Sequence, residues 1–441
     1  MFVTLVAAAL ALAGAPEDAL ERGMAAQRGG DTSAAIAAYR ECLEHDANYT
    51  ACHWEIGWSY WTDANWQGVV DHWRRVRELD GHPQLDKWLP TAEAHLSALD
   101  AIRAAAASAP ATNRPPLPEG RTLRLRAVGD IMMGSDFPDT STLPPDDGAT
   151  LLDEVQEMLA DADLTFGNLE GPLCDGGTTA KCSPGSNCYA FRTPTRYGAY
   201  LQQAGFDVLS TANNHAADFG DFCRDATEAT LDGLDIAHSG RPGSIASVDV
   251  DGARVGVVAF HTSPTSNYLL DTDTAVALVT AASANHDYVV VSFHGGAEGS
   301  KALHVPDAME IFYGEKRGHL RAFAAAVVEA GADVVLGHGP HVPRGMQIID
   351  GRLVAYSLGN FATYGRFSLK GFQGTSLILE VTLDHEGNFV RGNVLPVKLI
   401  GEGVPVPDPD NTAIDLLRTL SDEDFGDRAP LIAKDGSFAP R

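Results

Sequence analysis

From residue 122 onward the chain is built of short β-branched runs, each breaking off in a polar or glycine-rich turn. They are "TLRLRAVGDIMMG", "GFDVLSTANNH", "RVGVVAFH", "DYVVVSFHGG", "ADVVLGHGPH" and "LVAYSLGNF". Such runs read as buried strands, and the stretches between them (Leu151 to Ala162, Arg196 to Ala204, Lys316 to Ala330) read as helices. Strand alternates with helix, so the class is α/β. The late runs "GTSLILEVTLD" and "NFVRGNVLPVKLI" have no helix between them and are expected to pair antiparallel. Residues 402 to 441 carry Pro, Asp and Gly without periodicity and read as a tail, packed on the surface or partly disordered.

In α/β sheets, ligands bind beyond the carboxyl ends of strands, where loops gather side chains. Those ends hold Asp130 in "VGDIMMG", Asn168 and Glu170 in "LTFGNLEGPL", and Asn214 and His215 in "STANNH". They also hold His294 in "VVVSFHGG", His338 and His341 in "VVLGHGPH", and Asn360 in "YSLGNF". Each alone is ordinary: Gly-Asp after a strand is a turn or a helix cap, and Asn-Asn-His suits an Asx turn. Together they form a set of carboxylates, amide oxygens and imidazoles that suits a divalent metal. Two ions sharing a bridging carboxylate need a donor set of this size, which is the arrangement of two-metal hydrolases.

Residues 17 to 106 are of a different kind. Gly23 aligns with Gly57, Ala26 with Tyr60, Ala35 with Val69 and Tyr39 with Trp73, each 34 residues apart. That period resembles the tetratricopeptide pattern, in which paired helices stack through small residues. Two such repeats bury too little apolar surface alone, so Trp54, Trp58, Trp61 and Trp66 require cover from a further helix around Leu89 to Ala105 or from the main domain. The segment reads equally as a partner-binding module or as a helical spacer. Residues 107 to 121, with Pro110, Pro115, Pro116 and Pro118, form a stiff linker to a main domain at 122 to 401.

The formal charge of −27 argues against nucleic acid and anionic membrane surfaces as partners. An anionic substrate requires local cations that override this field; Arg192, Lys301, Arg344 and Arg366 lie near the loops, although any one of them reads first as a surface ion pair. Phe2 to Gly14 is apolar and closes on Ala13-Gly14-Ala15, the pattern of a cleaved export signal over residues 1 to 15. No basic residue precedes it, and it is too short to span a bilayer, as is every other apolar run. Six cysteines fit an exported, periplasmic or extracellular chain. Cys42 and Cys52 can join across a turn, and two bonds are expected among Cys174, Cys182, Cys188 and Cys223, with the pairing open.

"AVGDIMMG", "FGNLEGPL", "AGFDVLSTANNHAADFG" and "GADVVLGHGPHVPRGMQIIDGRLVAYSLGNF" resemble the CapA family of capsule-synthesis proteins, associated with poly-γ-glutamate, over roughly residues 122 to 400. The resemblance implies a calcineurin-like metallophosphoesterase fold, an α/β/β/α sandwich with a dinuclear site for Mn, Zn or Fe. It implies that Asp130 and His341 hold one ion, that Glu170 bridges, and that Asn214, His294 and His338 hold the second. His215 would sit beside the scissile bond as proton donor or charge stabiliser, and Glu298 would act behind the metal or on a substrate amine.

This chain departs from the phosphoesterase pattern at Asp130-Ile131-Met132, where Asp-x-His is usual, and the bridging position is Glu rather than Asp. It departs from the CapA pattern at His294-Gly295-Gly296-Ala297-Glu298, which lacks a Trp. The weakened first site leaves a single ion open. The implied function is metal-dependent hydrolysis of a phosphoester or amide of an envelope polymer or its precursor. The alternative is a non-catalytic factor that binds an anionic polymer and recruits a protein partner through the helical repeats.

Overall fold

The computed structural model describes residues 15–109, 116–179, 181–182 and 189–441. The apolar run 2–14 read as an export signal, the middle of the proline-rich linker and Cys188 lie outside the described residues. The chain divides into two compact units near Asp100.

The first unit consists of helices Ala15–Arg28, Thr32–His45, Thr50–Thr62, Trp66–Glu78 and the beginning of Leu85–Ser108. Asp31 and Asn65 cap two of them by accepting from the Ala34 and Gly68 amides, at 2.9 and 3.0 Å. The 34-residue spacing has a direct packing cause. A Cβ on Gly23 would lie 2.3 Å from the Tyr39 ring, and one on Gly57 would lie 2.0 Å from Trp73, so each helix pair closes through the same glycine–aromatic contact. A Cys42–Cys52 disulfide ties the second helix to the third.

The second unit opens with Leu123–Met132 (β1), Leu164–Leu169 (β2), Val208–Ser210 (β3) and Ala237–Ser239 (β4), four adjacent parallel strands. There follow Ala246–Val250 (β5), Ala253–His261 (β6), Asn267–Tyr268 (β7) and Tyr288–His294 (β8), then a separate hairpin, Glu310–Phe312 (β9) and Glu315–Gly318 (β10). Val334–His338 (β11), Pro343–Ile349 (β12) and Arg352–Leu358 (β13) complete a second sheet in the order β12-β13-β11-β8-β6-β5, with β7 beside β6.

Asn360–Thr363 (β14) returns to β1, and Thr375–Leu383 (β15) and Phe389–Ile400 (β16) extend the first sheet antiparallel, as their runs predict. Val404–Pro407 (β17), Leu431–Ile432 (β18) and Ser437–Ala439 (β19) widen it further.

The sheets face each other across a dry core in which Leu123, Leu125 and Phe166 meet Val255, Val290 and Leu336, all fully buried. Helices Asp153–Ala160, Gly198–Gln203 and Gly220–Asp232 cover the outer face of the first sheet through Val155, Leu159, Leu201 and Leu231. Thr272–Ser283 and Leu320–Glu329 cover the second, where Phe323 packs edge-on against Phe260 and Phe293. The architecture is thus an α/β/β/α sandwich, as the resemblance implies.

Two expectations need correction. The helix placed at Lys316 to Ala330 starts only at Leu320, because residues 315–318 pair with 310–312. The tail is an ordered part of the sandwich: Thr412–Phe425 is a helix on β12, where Ser421 Oγ accepts from the Met346 amide at 2.8 Å and Phe425 stacks on Tyr356. Its stripe of Ala413, Ile414, Leu417 and Leu420 is buried, and that periodicity had been obscured by the flanking Pro and Asp residues. Among the described residues no helix is long and apolar enough to cross a membrane.

Candidate metal centre

Two rows of polar side chains face each other where the sheets' parallel strands end. In the first sheet, Asp130 at the end of β1 lies in register with Asn168 of β2 on one side and Asn360 of β14 on the other. In the second, His294 of β8 lies between His261 of β6 and His338 of β11. The Asp130 turn needs a bare backbone before it: a Cβ on Gly129 would lie 1.9 Å from the Gly359 carbonyl, to which the Asp130 amide donates at 2.9 Å. The loops after β2, β3 and β11 then add Glu170, Asn214 with His215, and His341.

Asp130, Glu170 and His341 are buried, with donor atoms close enough to share an ion. His341 Nδ1 lies 2.9 Å from Asp130 Oδ2, and its Nε2 lies 3.7 Å from Glu170 Oε1. His341 also holds φ at +59°, a left-handed conformation that non-glycine residues rarely adopt and that clusters at functional sites. His294 Nε2 lies 4.0 Å from Glu170, and its Nδ1 lies 3.1 Å from the Asn168 amide nitrogen, which donates to Asp130 at 2.8 Å.

The decisive observation is what these groups lack. Both Glu170 oxygens, Asn214 Oδ1, His294 Nε2 and Asn168 Oδ1 are buried without a hydrogen-bond partner. Folded proteins leave few such atoms, and each costs about 1–3 kcal/mol or more when it is charged. Orphaned oxygens and an imidazole nitrogen around a carboxylate–histidine cluster form a hard-to-borderline donor set, which a divalent cation fits.

The electrostatics agree. Burial, reinforced by the Asp130 and Glu298 charges, holds the Glu170 carboxyl well above its ordinary range despite His341. Burial opposes charge on His341, but Glu170 and Asp130 overcome it and raise the imidazole to about 10. Burial keeps His294 and His261 well below the usual imidazole value.

Around this cluster, Asn213 shapes the bend, donating to the Leu169 carbonyl at 2.8 Å and accepting from the His215 amide at 3.0 Å. His215 points Nε2 to within 3.9 Å of Glu170, while its Nδ1 donates to Asp218 at 2.7 Å. Phe191 stacks on the ring at 4.1 Å, and burial lowers its pKa to about 4 against the pull of Asp218. Lys181 lies 3.2 Å from His215 Nδ1 and pairs with Asp218. Glu298 takes a 2.6 Å hydrogen bond from the buried Arg317 and reaches 4.0 Å from His341 Nε2.

His338 departs from the expected ligand set. Its Nε2 lies 3.1 Å from the Val128 carbonyl and its Nδ1 3.3 Å from Ser292 Oγ, so each nitrogen already has a protein partner. Asn168 and Asn360, read at their strand ends, do reach the cluster, and Asp218, Lys181 and His261 join them. His261 closes "RVGVVAFH" as His294 closes its own strand, and that parallel was the available signal. Asp218 and Lys181 carried none, because loops bring them in.

Cys174–Cys223 ties the loop after Glu170 to the helix after His215. Cys182 is also disulfide-bonded. Of the four flagged arginine and lysine residues, Arg192 pairs with Asp136 and Arg344 with Glu310, while Lys301 and Arg366 line a cleft of about 1070 Å³. His215, Asn214, His341 and Glu298 line the same cleft.

The capsule biosynthesis protein CapA of Bacillus anthracis is 27% identical over 343 residues, covering 72% of this chain and 76% of its own length. The PGA biosynthesis protein CapA of Bacillus subtilis is 25% identical over 251 residues, covering 53% of this chain and 61% of its own. Among solved structures, a Staphylococcus aureus protein described as a 5'-nucleotidase superposes with a TM-score of 0.38 at 15% identity, covering 68% of this chain and 58% of that one, a likeness too slight to bear on function. The family model of the bacterial capsule synthesis protein PGA_cap matches residues 124–364, more than half of the 441 residues, and the chain belongs to that family.

Proposed function

We propose that the protein is an exported, metal-dependent hydrolase of capsule biosynthesis, acting on a phosphoester or amide bond of an envelope polymer or its precursor. The observation that carries this reading is the convergence of orphaned buried donors, on Glu170, Asn214 and His294, beside the Asp130–His341 pair. Other buried atoms also lack partners, Ser59 Oγ and Tyr288 OH among them, but those lie in no carboxylate–histidine cluster. Asp130, Glu170, Asn214, His294 and His341 would hold one or two ions of Mn, Zn or Fe. Such ions supply Lewis acidity toward phosphoryl or acyl oxygen and make water a stronger nucleophile at neutral pH.

The chain supplies the rest. His215 lines the cleft with Nε2 beside Glu170, and its low pKa leaves it neutral at pH 7, so it would take the proton that the attacking water loses and pass it to the leaving group. The aromatic side chains of Phe191 and Phe367 pack against His215 and His341 and cover one side of each imidazole. The association of the CapA family with poly-γ-glutamate makes a γ-glutamyl polymer the first substrate to try.

The test is turnover of p-nitrophenyl phosphate and γ-glutamyl-p-nitroanilide by manganese- or zinc-loaded protein, with His215→Ala in parallel. Loss of about 10²–10⁴ in kcat with bound metal unchanged is expected for the variant. Bound metal without turnover of either compound would exclude the reading. The non-catalytic alternative, a polymer-binding factor working through the helical repeats, predicts that His215→Ala leaves capsule export intact.

A further inference from the structure

The β9–β10 hairpin forms one wall of the cleft, and its tip is built against local preference. Phe312 pairs with Glu315, so the turn is the two residues Tyr313-Gly314, both at positive φ (+48° and +83°). Such turns favour Asn-Gly, and an aromatic residue in the left-handed region is strained. The strained ring gains nothing from the core, since Tyr313 is 93% exposed and touches Phe312 at a ring separation of 4.4 Å. Backbone strain held at a cleft calls for a function.

The stem is anchored firmly. Arg344, fully buried, donates twice to Glu310 at 2.9 and 3.0 Å, and Arg317 donates to Glu298 on the cleft floor. Hence the tip is held at a fixed place relative to His341 and Glu298. The cleft is also lined by Tyr189, itself 53% exposed, with the Arg366 guanidinium 5.5 Å from its ring centre. Ser300 and Gln373 add polar groups to the lining.

Exposed aromatic faces interspersed with hydroxyl, amide and cationic groups suit a ligand that offers a flat face beside hydroxyls and a negative charge. A pyranose ring offers slightly positive C–H faces to the negative face of a tyrosine and hydroxyls to the polar groups between. A linear γ-glutamyl chain has no such face. We propose that Tyr313 and Tyr189 form a sugar-binding subsite, so that the group next to the bond cleaved at the metal centre is a glycosyl unit carrying an anionic substituent. This deepens the hydrolase reading and rests on it for the position of the cleaved bond.

The test is calorimetric titration of the manganese-loaded full chain with glucose 6-phosphate and with its reduced, open-chain counterpart sorbitol 6-phosphate. The ring form should bind several-fold to about tenfold tighter, the yield of one or two stacking contacts. Tyr313→Ala and Tyr189→Ala should each erode that ratio, and Tyr313→Phe should keep it. Equal affinities, no measurable affinity for either, or a ratio surviving the Y189A/Y313A pair would overturn the proposal.

Tyr313→Asn supplies an independent readout. It suits the positive φ and should raise Tm while losing the ring preference. A lower Tm with the preference intact would show that Tyr313 serves packing, and would also overturn it. Parallel assays of p-nitrophenyl phosphate and γ-glutamyl-p-nitroanilide separate the two ideas: turnover without ring preference sinks the subsite alone, and ring preference with metal bound but no turnover sinks the hydrolase alone.

Discussion

Glu170 has the most to lose from substitution, because both its oxygens are buried and orphaned, and Asp130, His294, His341 and His215 all approach it within 4.0 Å or share its cluster. Glu170→Gln keeps the shape and removes the charge that draws an ion. Metal affinity should fall by at least 10–100-fold, the loss that even outer partners of a metal site cause, as read by metal analysis after dialysis. The same variant should lose the rise in Tm that manganese gives the wild type, which at a hundred times Kd amounts to about 2.7 kcal/mol. Unchanged metal content would mean that the cluster binds elsewhere.

At this scale the sequence was informative wherever a residue ended a strand. Asp130, Glu170, Asn214, His294 and His341 could be read because strand ends converge in any α/β sheet. His338 could not be told from them, since position on a strand does not say where a ring's nitrogens point. Asp218 and Lys181 were invisible because the loop that carries Lys181 and the turn that carries Asp218 meet only in three dimensions.

The elements of the first unit make a different kind of prediction. Burial, then the neighbouring His53, lowers His72 to about 4, and burial lowers His95 to about 4 where it stacks on Trp66 at 3.7 Å. Both are neutral in the folded helices and bind protons more readily when unfolded. Their stabilising effect is therefore complete above pH 6.5 and declines as pH falls through 6.5 toward 4.

Allowing for partial solvent contact, each costs about 1 kcal/mol at pH 5, which lowers the melting point of a domain this small by roughly 10 °C. All six tryptophans lie between Trp54 and Trp88, so indole fluorescence reports this unit selectively. A fluorescence melt unchanged between pH 7 and pH 5 would contradict the assignment. The helix pairs themselves were legible from the 34-residue glycine–aromatic spacing, because a missing Cβ at each crossing leaves a regular trace. The further helix expected around Leu89 to Ala105 was legible as well, and it runs from Leu85 to Ser108.

Over the whole molecule, charge and site oppose each other. The chain carries −27, yet Lys181, Lys301 and Arg366 line a cleft whose proposed substrate is anionic. The two act over different distances. The global field repels an approaching anion from afar, whereas the three cations act at close range inside the cleft itself. Salt shortens the reach of a charge from about 30 Å at 0.01 M to about 8 Å at 0.15 M, so it removes the distant repulsion first and leaves the close contacts largely intact. For p-nitrophenyl phosphate, kcat/KM should therefore rise as ionic strength increases over that range, the reverse of electrostatic steering toward an attractive site. Arg366→Gln should lower kcat/KM at every salt concentration without changing the slope, since it removes a contact and barely alters the total. A rate that falls with salt in the wild type would show that the local cations dominate even at long range, and the acidic surface would then have to be directed away from the cleft.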